Sequence, residues 1–323
     1  MKAIIPVAGI GSRLRPLTHT APKALLHVAG KPILGHILDE LIAYNIREIV
    51  FVVGFLSEKI IEYVSTNYKI KTTFIEQKEL KGLGWAINLA KEHIDDEPIL
   101  IVLGDTIMDL DIEEVLKSEY DAIGTKKVDD PCRFGIAETK NGFITKLIEK
   151  PDKPISNLAI VGIYSIKSTM LFRQCLEELI AKNITTKDEY QLTDALSLML
   201  EHGCKMTTFN VDGWYDCGKK ETLLETNRFL LSHIKTVSDY KNAIIIPPVY
   251  ISPSAKISNS VIGPYVSVAD NASIESSVIK DSIVSSSAEV KNCLLESSLV
   301  GNNSLFVGRY HVLNLGDSSE IEY

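Results

Sequence analysis

Lys2-Ala3-Ile4-Ile5-Pro6-Val7-Ala8-Gly9-Ile10-Gly11-Ser12-Arg13-Leu14-Arg15-Pro16-Leu17-Thr18 is the stretch on which the fold turns. It begins as a short apolar run, the composition of a buried strand. The run ends in a turn carrying Gly9 and Gly11, and glycine lets backbone N–H groups approach whatever docks there. Arg13 and Arg15 follow at once, Lys23 lies ten residues after Arg13, and Ala29-Gly30-Lys31-Pro32 closes the region. A strand that opens into oriented amides, with several cations behind it, suits a polyphosphate.

Two other phosphate loops are excluded. A Walker loop needs Gly, four residues, then Gly-Lys-Ser/Thr, and no such run occurs. A dinucleotide fingerprint needs a third glycine three residues after the second, where this chain has Leu14.

Outward from this stretch, apolar runs at 48–53 and 99–103 read as further buried parallel strands. Helical patterns lie near 33–45, 57–67 and 84–94. Strand–helix alternation at this spacing predicts an α/β layered domain with right-handed crossovers. Ligands of such sheets bind beyond the carboxyl ends of the strands, which places Gly9–Arg13 and Gly104-Asp105 on one rim.

From about residue 245 the texture changes. Ser, Val, Ile and Asn dominate, and apolar residues recur every five or six positions at Ile251, Ile257, Ile262, Val268, Ile274, Ile279, Val284 and Val290. Small residues often stand two before them, as at Ala255, Ser260, Ala272, Ser277 and Ala288. A period near six predicts a hexapeptide-repeat β-helix of about three coils, each burying its apolar residue inward. An antiparallel sheet would show a period of two. Segment 228–245, ending near Lys241-Asn242, is the expected linker, and the polar end from Asp317 is expected to fray.

The chain has 323 residues, enough for two domains, with 45% hydrophobic and 24% charged residues, the balance of a globular protein. A net charge of −8 without a basic stripe argues against a nucleic-acid polymer as partner. No 18-residue apolar run occurs, so no membrane partner is expected. Pro6 and Gly9 break the plan of a signal peptide. The five cysteines are scattered and form no Cys-x-x-Cys pair, which predicts neither a zinc site nor a disulfide framework. These features together point to a cytoplasmic protein.

The string Gly-x-Gly-Ser-Arg-Leu-Arg-Pro-Leu-Thr over 9–18, with Pro22-Lys23 downstream, resembles the sugar-1-phosphate nucleotidylyltransferase family. A common family form has Ala-Gly-Gly where this chain has Val7-Ala8-Gly9. Pro6-Val7-Ala8-Gly9 looks like the UTP:glucose-1-phosphate uridylyltransferase branch, and alanine at position 8 makes the loop less permissive. The resemblance implies an α/β fold: a Rossmann-like mixed-sheet nucleotidyltransferase domain over 1–240 and a left-handed parallel β-helix over 241–323. Ala8, Gly9, Gly11, Ser12 and Arg13 would then hold a nucleoside triphosphate.

Asp105 ends the run Ile99–Leu103-Gly104. A carboxylate at a strand tip can hold Mg²⁺ against phosphate or cap a helix. The resemblance favours the metal, as it does for Asp216 in Gly213-Trp214-Tyr215-Asp216-Cys217-Gly218, where the residue-level alternative is a turn with an aromatic plug. Cys217 reads as a small packed residue, since no histidine is near it in sequence. Gln77 offers a donor and an acceptor, enough for two bonds to a pyrimidine-dione edge. Gln77, four residues, then Gly82-Leu83-Gly84-Trp85-Ala86 resembles thymidylyl- and uridylyltransferases, so dTTP or UTP is expected over GTP.

Glu149-Lys150-Pro151 matches the family's Glu-Lys-Pro, where the acid binds a sugar hydroxyl and the lysine the sugar phosphate. Asn157 and Gly162 resemble sugar-pocket positions. Glu189 in Glu189-Tyr190-Gln191-Leu192-Thr193-Asp194 is a further hydroxyl acceptor, while Thr193-Asp194 read as a helix N-cap.

The reaction that follows is attack of the sugar-1-phosphate oxygen on the α-phosphorus with loss of pyrophosphate. That nucleophile is already anionic and needs no general base, so Arg13, Lys23 and Lys150 act by neutralising and aligning charge. Mg²⁺ on Asp105 and Asp216 is the expected cofactor. A nucleoside triphosphate and a sugar 1-phosphate, most simply glucose 1-phosphate, are the expected partners. Hexapeptide β-helices also occur in acyltransferases, which raises a bifunctional alternative. No histidine lies between His233 and His311 to serve as its base, which favours a structural or homo-oligomerising role. A non-catalytic regulatory subunit is the other alternative. The joint presence of Arg13, Lys23, Asp105, Lys150 and Asp216 argues against it.

Overall fold

The structure, a computed structural model, describes residues 1–110, 112–234, 240 and 242–309. Lys241, in the expected linker, and the polar end from Asp317 lie outside the described residues. The chain divides into two compact units, one formed by Met1–Leu26 with Lys31–Thr226, the other by His27–Gly30 with the chain from Asn227 onward.

In the first unit, β1 (Lys2–Pro6) is the centre of a mixed nine-stranded sheet. Ala3, Ile4 and Ile5 are fully buried, as an apolar run covered on both faces must be. After the two-residue strand β2 (His27–Val28), which belongs to the second unit, the chain passes through β3 (Lys31–Pro32) into α1 (Ile33–Ala43). It continues through β4 (Glu48–Val53), α2 (Ser57–Asn67), β5 (Lys71–Glu76), α3 (Leu83–Leu89) and β6 (Ile99–Val102). These elements match the predicted alternation. Helix α1 buries Ile33, Leu34, Ile37, Leu38 and Leu41, and α2 buries Ile60 and Val64, so each presents a stripe at helical spacing.

Strand β1 pairs in parallel with β4 on one side and with β6 on the other, Ile4 standing opposite both Val50 and Ile101. The chain therefore leaves β1 toward β4 and β5, then returns to its other flank. That reversal opens a crevice beyond the carboxyl ends of β1 and β6.

Next come β7 (Thr106–Asp109), α4 (Ile112–Lys117), β8 (Asp121–Lys127), β9 (Gly135–Lys140), β10 (Phe143–Glu149) and β11 (Leu158–Ile166). Then follow α5 (Thr169–Ala181), α6 (Leu192–Glu201), β12 (Met206–Asn210), β13 (Gly213–Asp216) and α7 (Lys220–Ser232). The sheet runs β10-β9-β11-β6-β1-β4-β5, with β8 paired to β11 and β12. Strand β11 lies antiparallel to β6, β8 and β9, which makes the sheet mixed. Gly162 sits at the irregularity of β11, at φ +93° and with Leu103 packed where a β-carbon would stand.

The second unit contains three parallel sheets of four short strands each, a left-handed parallel β-helix. One sheet is Ala243–Ile245, Ser260–Ile262, Val278–Lys280 and Leu294–Glu296. Another is Val249–Ile251, Val266–Val268, Ile283–Val284 and Leu299–Val300. The third is Lys256–Ser258, Ser273–Glu275, Glu289–Lys291 and Leu305–Val307. The predicted column is the core: Ile262, Val268, Ile274, Ile279, Val284 and Val290 are buried. Four strands per sheet mean four coils rather than about three. Leu295, Val300 and Phe306 stand in register with Ile279, Val284 and Val290 and extend the frame past the point where it was read as ending.

Asn259, Asn271, Asp281, Asn292 and Asn303 take positive φ at the corners. Short polar side chains tolerate that conformation best after glycine, which accounts for the Asn- and Ser-rich texture. Ser260 Oγ accepts from the Ser277 N–H, and Ser277 Oγ from the Cys293 N–H, so small polar residues satisfy backbone donors between coils.

Candidate active site

A cleft of about 370 Å³ lies beyond the carboxyl ends of β1, β5 and β6. Ala8, Gly9, Lys23, Gln77, Gly82, Asp105 and Glu189 all line it. These residues come from four separated stretches of sequence, and the crossovers of the sheet bring them together.

The signature loop folds back on itself to deliver Lys23. Gly11 is at φ +68°, and its carbonyl accepts from the Thr18 hydroxyl at 2.8 Å. A β-carbon at Gly11 would stand 3.0 Å from both Lys23 Cβ and Thr18 Cγ2, so glycine is what allows this close packing. Lys23 is buried, and its ammonium donates to Asp105 Oδ2 at 2.5 Å and lies 3.7 Å from Asp216 Oδ1.

The two acids, far apart in sequence, meet because β7 and β13 pair antiparallel with Thr106 opposite Asp216. Asp105 lies between β6 and β7 and caps no helix. Arg13 Nη2 and both Asp216 carboxylate oxygens approach Gly218, lying 2.8 and 2.9 Å from where its β-carbon would be. Arg13 and Ser12 are exposed and lie outside the lining of the cleft. Hard carboxylate oxygens suit Mg²⁺, which binds one or two carboxylates and completes its shell with water and phosphate. The Lys23 ammonium already rests against both acids, so the pair fits a cation. Among the described residues no group of three or more His, Cys, Asp or Glu converges.

Gln77 is buried, its N–H donates to the Val53 carbonyl, and its side-chain amide donates to the Glu79 carbonyl at 3.1 Å. Gly82, at φ +103°, packs on the 189–190 segment, where a β-carbon would fall 2.5 Å from the Tyr190 carbonyl. Leu80, Leu83, Ala86 and Leu103 form apolar parts of the wall. None of these four carries a chemical signature in the sequence. Their only signal was position, next to a strand end or inside the glycine loop.

Val7 and Ala8 have a matching explanation. A β-carbon at Gly104 would lie 2.2 Å from Val7 Cγ1, and one at Gly54 would lie 2.9 Å from Ala8 Cβ. The larger side chains at these two loop positions occupy space left by Gly104 and Gly54 on the flanking strand ends.

Glu149 and Lys150 form a second cluster at the end of β10, outside the lining of the cleft. Glu149 accepts from the Thr193 hydroxyl at 2.7 Å and pairs with Lys150 at 3.3 Å. Thr193 thus serves Glu149 rather than capping α6. The cap position is Gln191 and makes no side-chain cap bond. Burial pushes the Asp194 carboxyl above its usual range. Asn157 is exposed and, like Gly162, lies outside the cleft lining. Cys217 is fully buried and burial pushes its thiol up to about 12, as suits a packed residue.

A doubly flanked parallel strand that ends in a glycine loop, facing two carboxylates and a buried lysine, defines a nucleotide-handling α/β protein. Residues 2–233 match the nucleotidyl transferase family, and the chain belongs to that family. It is 40% identical over 240 residues to the bifunctional protein GlmU of Methanocaldococcus jannaschii, covering 73% of this chain and 56% of that protein. It is 34% identical over 223 residues to the UTP–glucose-1-phosphate uridylyltransferase AglF of Haloferax volcanii, covering 66% of this chain and 89% of that protein. A solved Bacillus anthracis structure, assigned as a glucose-1-phosphate thymidylyltransferase, superposes with a TM-score of 0.61 at 26% identity, covering 74% of this chain and 98% of that one. The chain spans little more than half the length of the GlmU protein it matches. No helix among the described residues is long and apolar enough to cross a membrane.

Proposed function

We propose that this protein transfers a nucleotidyl group from dTTP or UTP to a sugar 1-phosphate, most simply glucose 1-phosphate, to give an NDP-sugar and pyrophosphate. The observation that carries this reading is the convergence of Gly9, Lys23, Gln77, Gly82 and Asp105 on one cleft. The similarity to AglF over most of that protein's length supports the sugar-phosphate half.

In this reading Ala8, Gly9, Gly11 and Ser12 present the loop to the triphosphate while Arg13 and Lys23 neutralise it. Gln77 reads the base edge beside Gly82. Lys150 aligns the sugar phosphate, and Glu149, Asn157, Gly162 and Glu189 bind the sugar. A phosphate oxygen of the sugar 1-phosphate forms a bond to the α-phosphorus, the bond from that phosphorus to the bridging oxygen breaks, and pyrophosphate leaves. No proton need be removed from the nucleophile, so catalysis rests on alignment and charge. Mg²⁺ held by Asp105 and Asp216 would supply neutralisation of the phosphates. The apolar wall of Leu80, Leu83 and Leu103 suits either pyrimidine, since the C5 methyl of thymine is worth only about 1 kcal/mol.

We assign transfer to residues 1–240 and a structural or homo-oligomerising role to 241–323. A second, acyl-transfer activity of the β-helix is the alternative reading, and the relative GlmU is itself described as bifunctional. Pyrophosphate release measured over dTTP, UTP, GTP, CTP and ATP against several sugar 1-phosphates tests the proposal. Turnover with a pyrimidine triphosphate is the expected result, and silence with every pair would remove it.

A further inference from the structure

Lys23 makes two contacts that a phosphate-binding lysine does not need. Its ammonium stands between the acids, 2.5 Å from Asp105 Oδ2 and 3.7 Å from Asp216 Oδ1, and only 9% of the residue is exposed. Its stem is wedged against Gly11, where a β-carbon would come within 3.0 Å of Lys23 Cβ. Two converging carboxylates with one cation between them form the donor set that a divalent ion would use. A divalent ion added while the ammonium stays would bring three positive charges to two negative ones. The ammonium and the ion therefore compete for one place.

We infer that Lys23 is an internal counter-ion. It holds the metal's place between Asp105 and Asp216 and gives it up when a triphosphate offers the ammonium new partners. This rests on the proposed function for the identity of that second partner, but the competition itself does not. Its consequence is coupling. A bare divalent ion binds weakly, and the metal and the triphosphate each favour the other's binding, as reciprocity requires.

The test is titration of the full chain with Mn²⁺ in the absence of nucleotide, followed by the EPR signal of the free ion. Lys23→Met is expected to bind Mn²⁺ at least tenfold more tightly than the wild type, by removing the competitor. Lys23→Met/Asp105→Asn is expected to lose that gain, because the gain comes from the acid pair. Lys23→Gln serves as the second variant should thermal melts show that Lys23→Met does not fold. Equal or weaker binding in the folded variant would overturn the inference, and so would tight binding that survives Asp105→Asn. Since no turnover is read, absence of pyrophosphate release would count against the proposed function and leave this result standing.

Discussion

At the scale of single residues, Asp105 and Arg13 carry the sharpest expectations. If charge neutralisation is the main source of rate, Asp105→Ala or Arg13→Ala should lower kcat by about 10²–10³ in a steady-state pyrophosphate assay. Turnover within a factor of a few of wild type would remove either residue from the site. Glu40, on α1, gives a separate test in stability. Burial, followed by the nearby charge of Asp109, pushes its carboxyl up to about 7. The folded state therefore holds a proton that the unfolded state has lost between about pH 4.5 and 7, and stability falls as pH rises through that window. Glu40→Gln should flatten this slope and raise Tm at pH 8, read by thermal melts from pH 5 to 8. Residues of this kind divide by how the sequence announces them. Asp105 stands at a strand end beside Gly104, and Gln77 at a strand end ahead of the Gly82-Leu83-Gly84 loop, so both could be singled out. The partnership of Lys23 with Asp216 could not, because it depends on a pairing of β7 with β13 that no local pattern encodes.

At the scale of elements, the parallel core was readable and the antiparallel additions were not. The runs at 2–7, 48–53 and 99–103 are buried on both faces and read as nearly continuous apolar stretches. Strands β9 and β10 mix exposed and buried residues, β11 is buried along almost its whole length, and all three gain their antiparallel order from long-range pairing that no local pattern shows. The glycines that set close approaches are a test of this level. Gly104→Ala places a methyl group 2.2 Å from Val7 Cγ1. It should cost about 1–3 kcal/mol by overpacking. Adding Val7→Ala should recover part of that loss, and urea unfolding of both variants measures it. Equal destabilisation in the single and double variants would show that the two side chains do not share that space. The hexapeptide period shows the same division. The inward column was visible from Ile251 to Val290, but the fourth coil uses Leu and Phe on a frame that only stacking makes plain.

At the scale of the whole molecule, membership of the second unit was not legible for His27–Gly30, which follow the signature loop in sequence but belong with the β-helix. Gly30 packs on the Tyr250 ring, and a buried amide adds a polar tie. Asn227, fully buried, accepts from the Ala29 N–H at 2.9 Å and the Ser267 hydroxyl at 2.6 Å, and donates to the Tyr265 carbonyl at 3.2 Å. Asn227→Leu would leave three polar groups unpartnered and should destabilise that unit by about 2–3 kcal/mol or more. Hydrogen exchange of the 27–30 backbone amides should rise with it, and unchanged protection would mean that Asn227 is not what orders the segment. The most direct measurement of the proposed transfer is pyrophosphate release, with mass detection of the NDP-sugar, from dTTP or UTP and glucose 1-phosphate in Mg²⁺ buffer. Turnover is expected with one or both pyrimidine triphosphates, abolished by chelation and cut sharply by Asp105→Ala. Release of no pyrophosphate with any nucleotide and sugar 1-phosphate pair, from a folded protein, would contradict it.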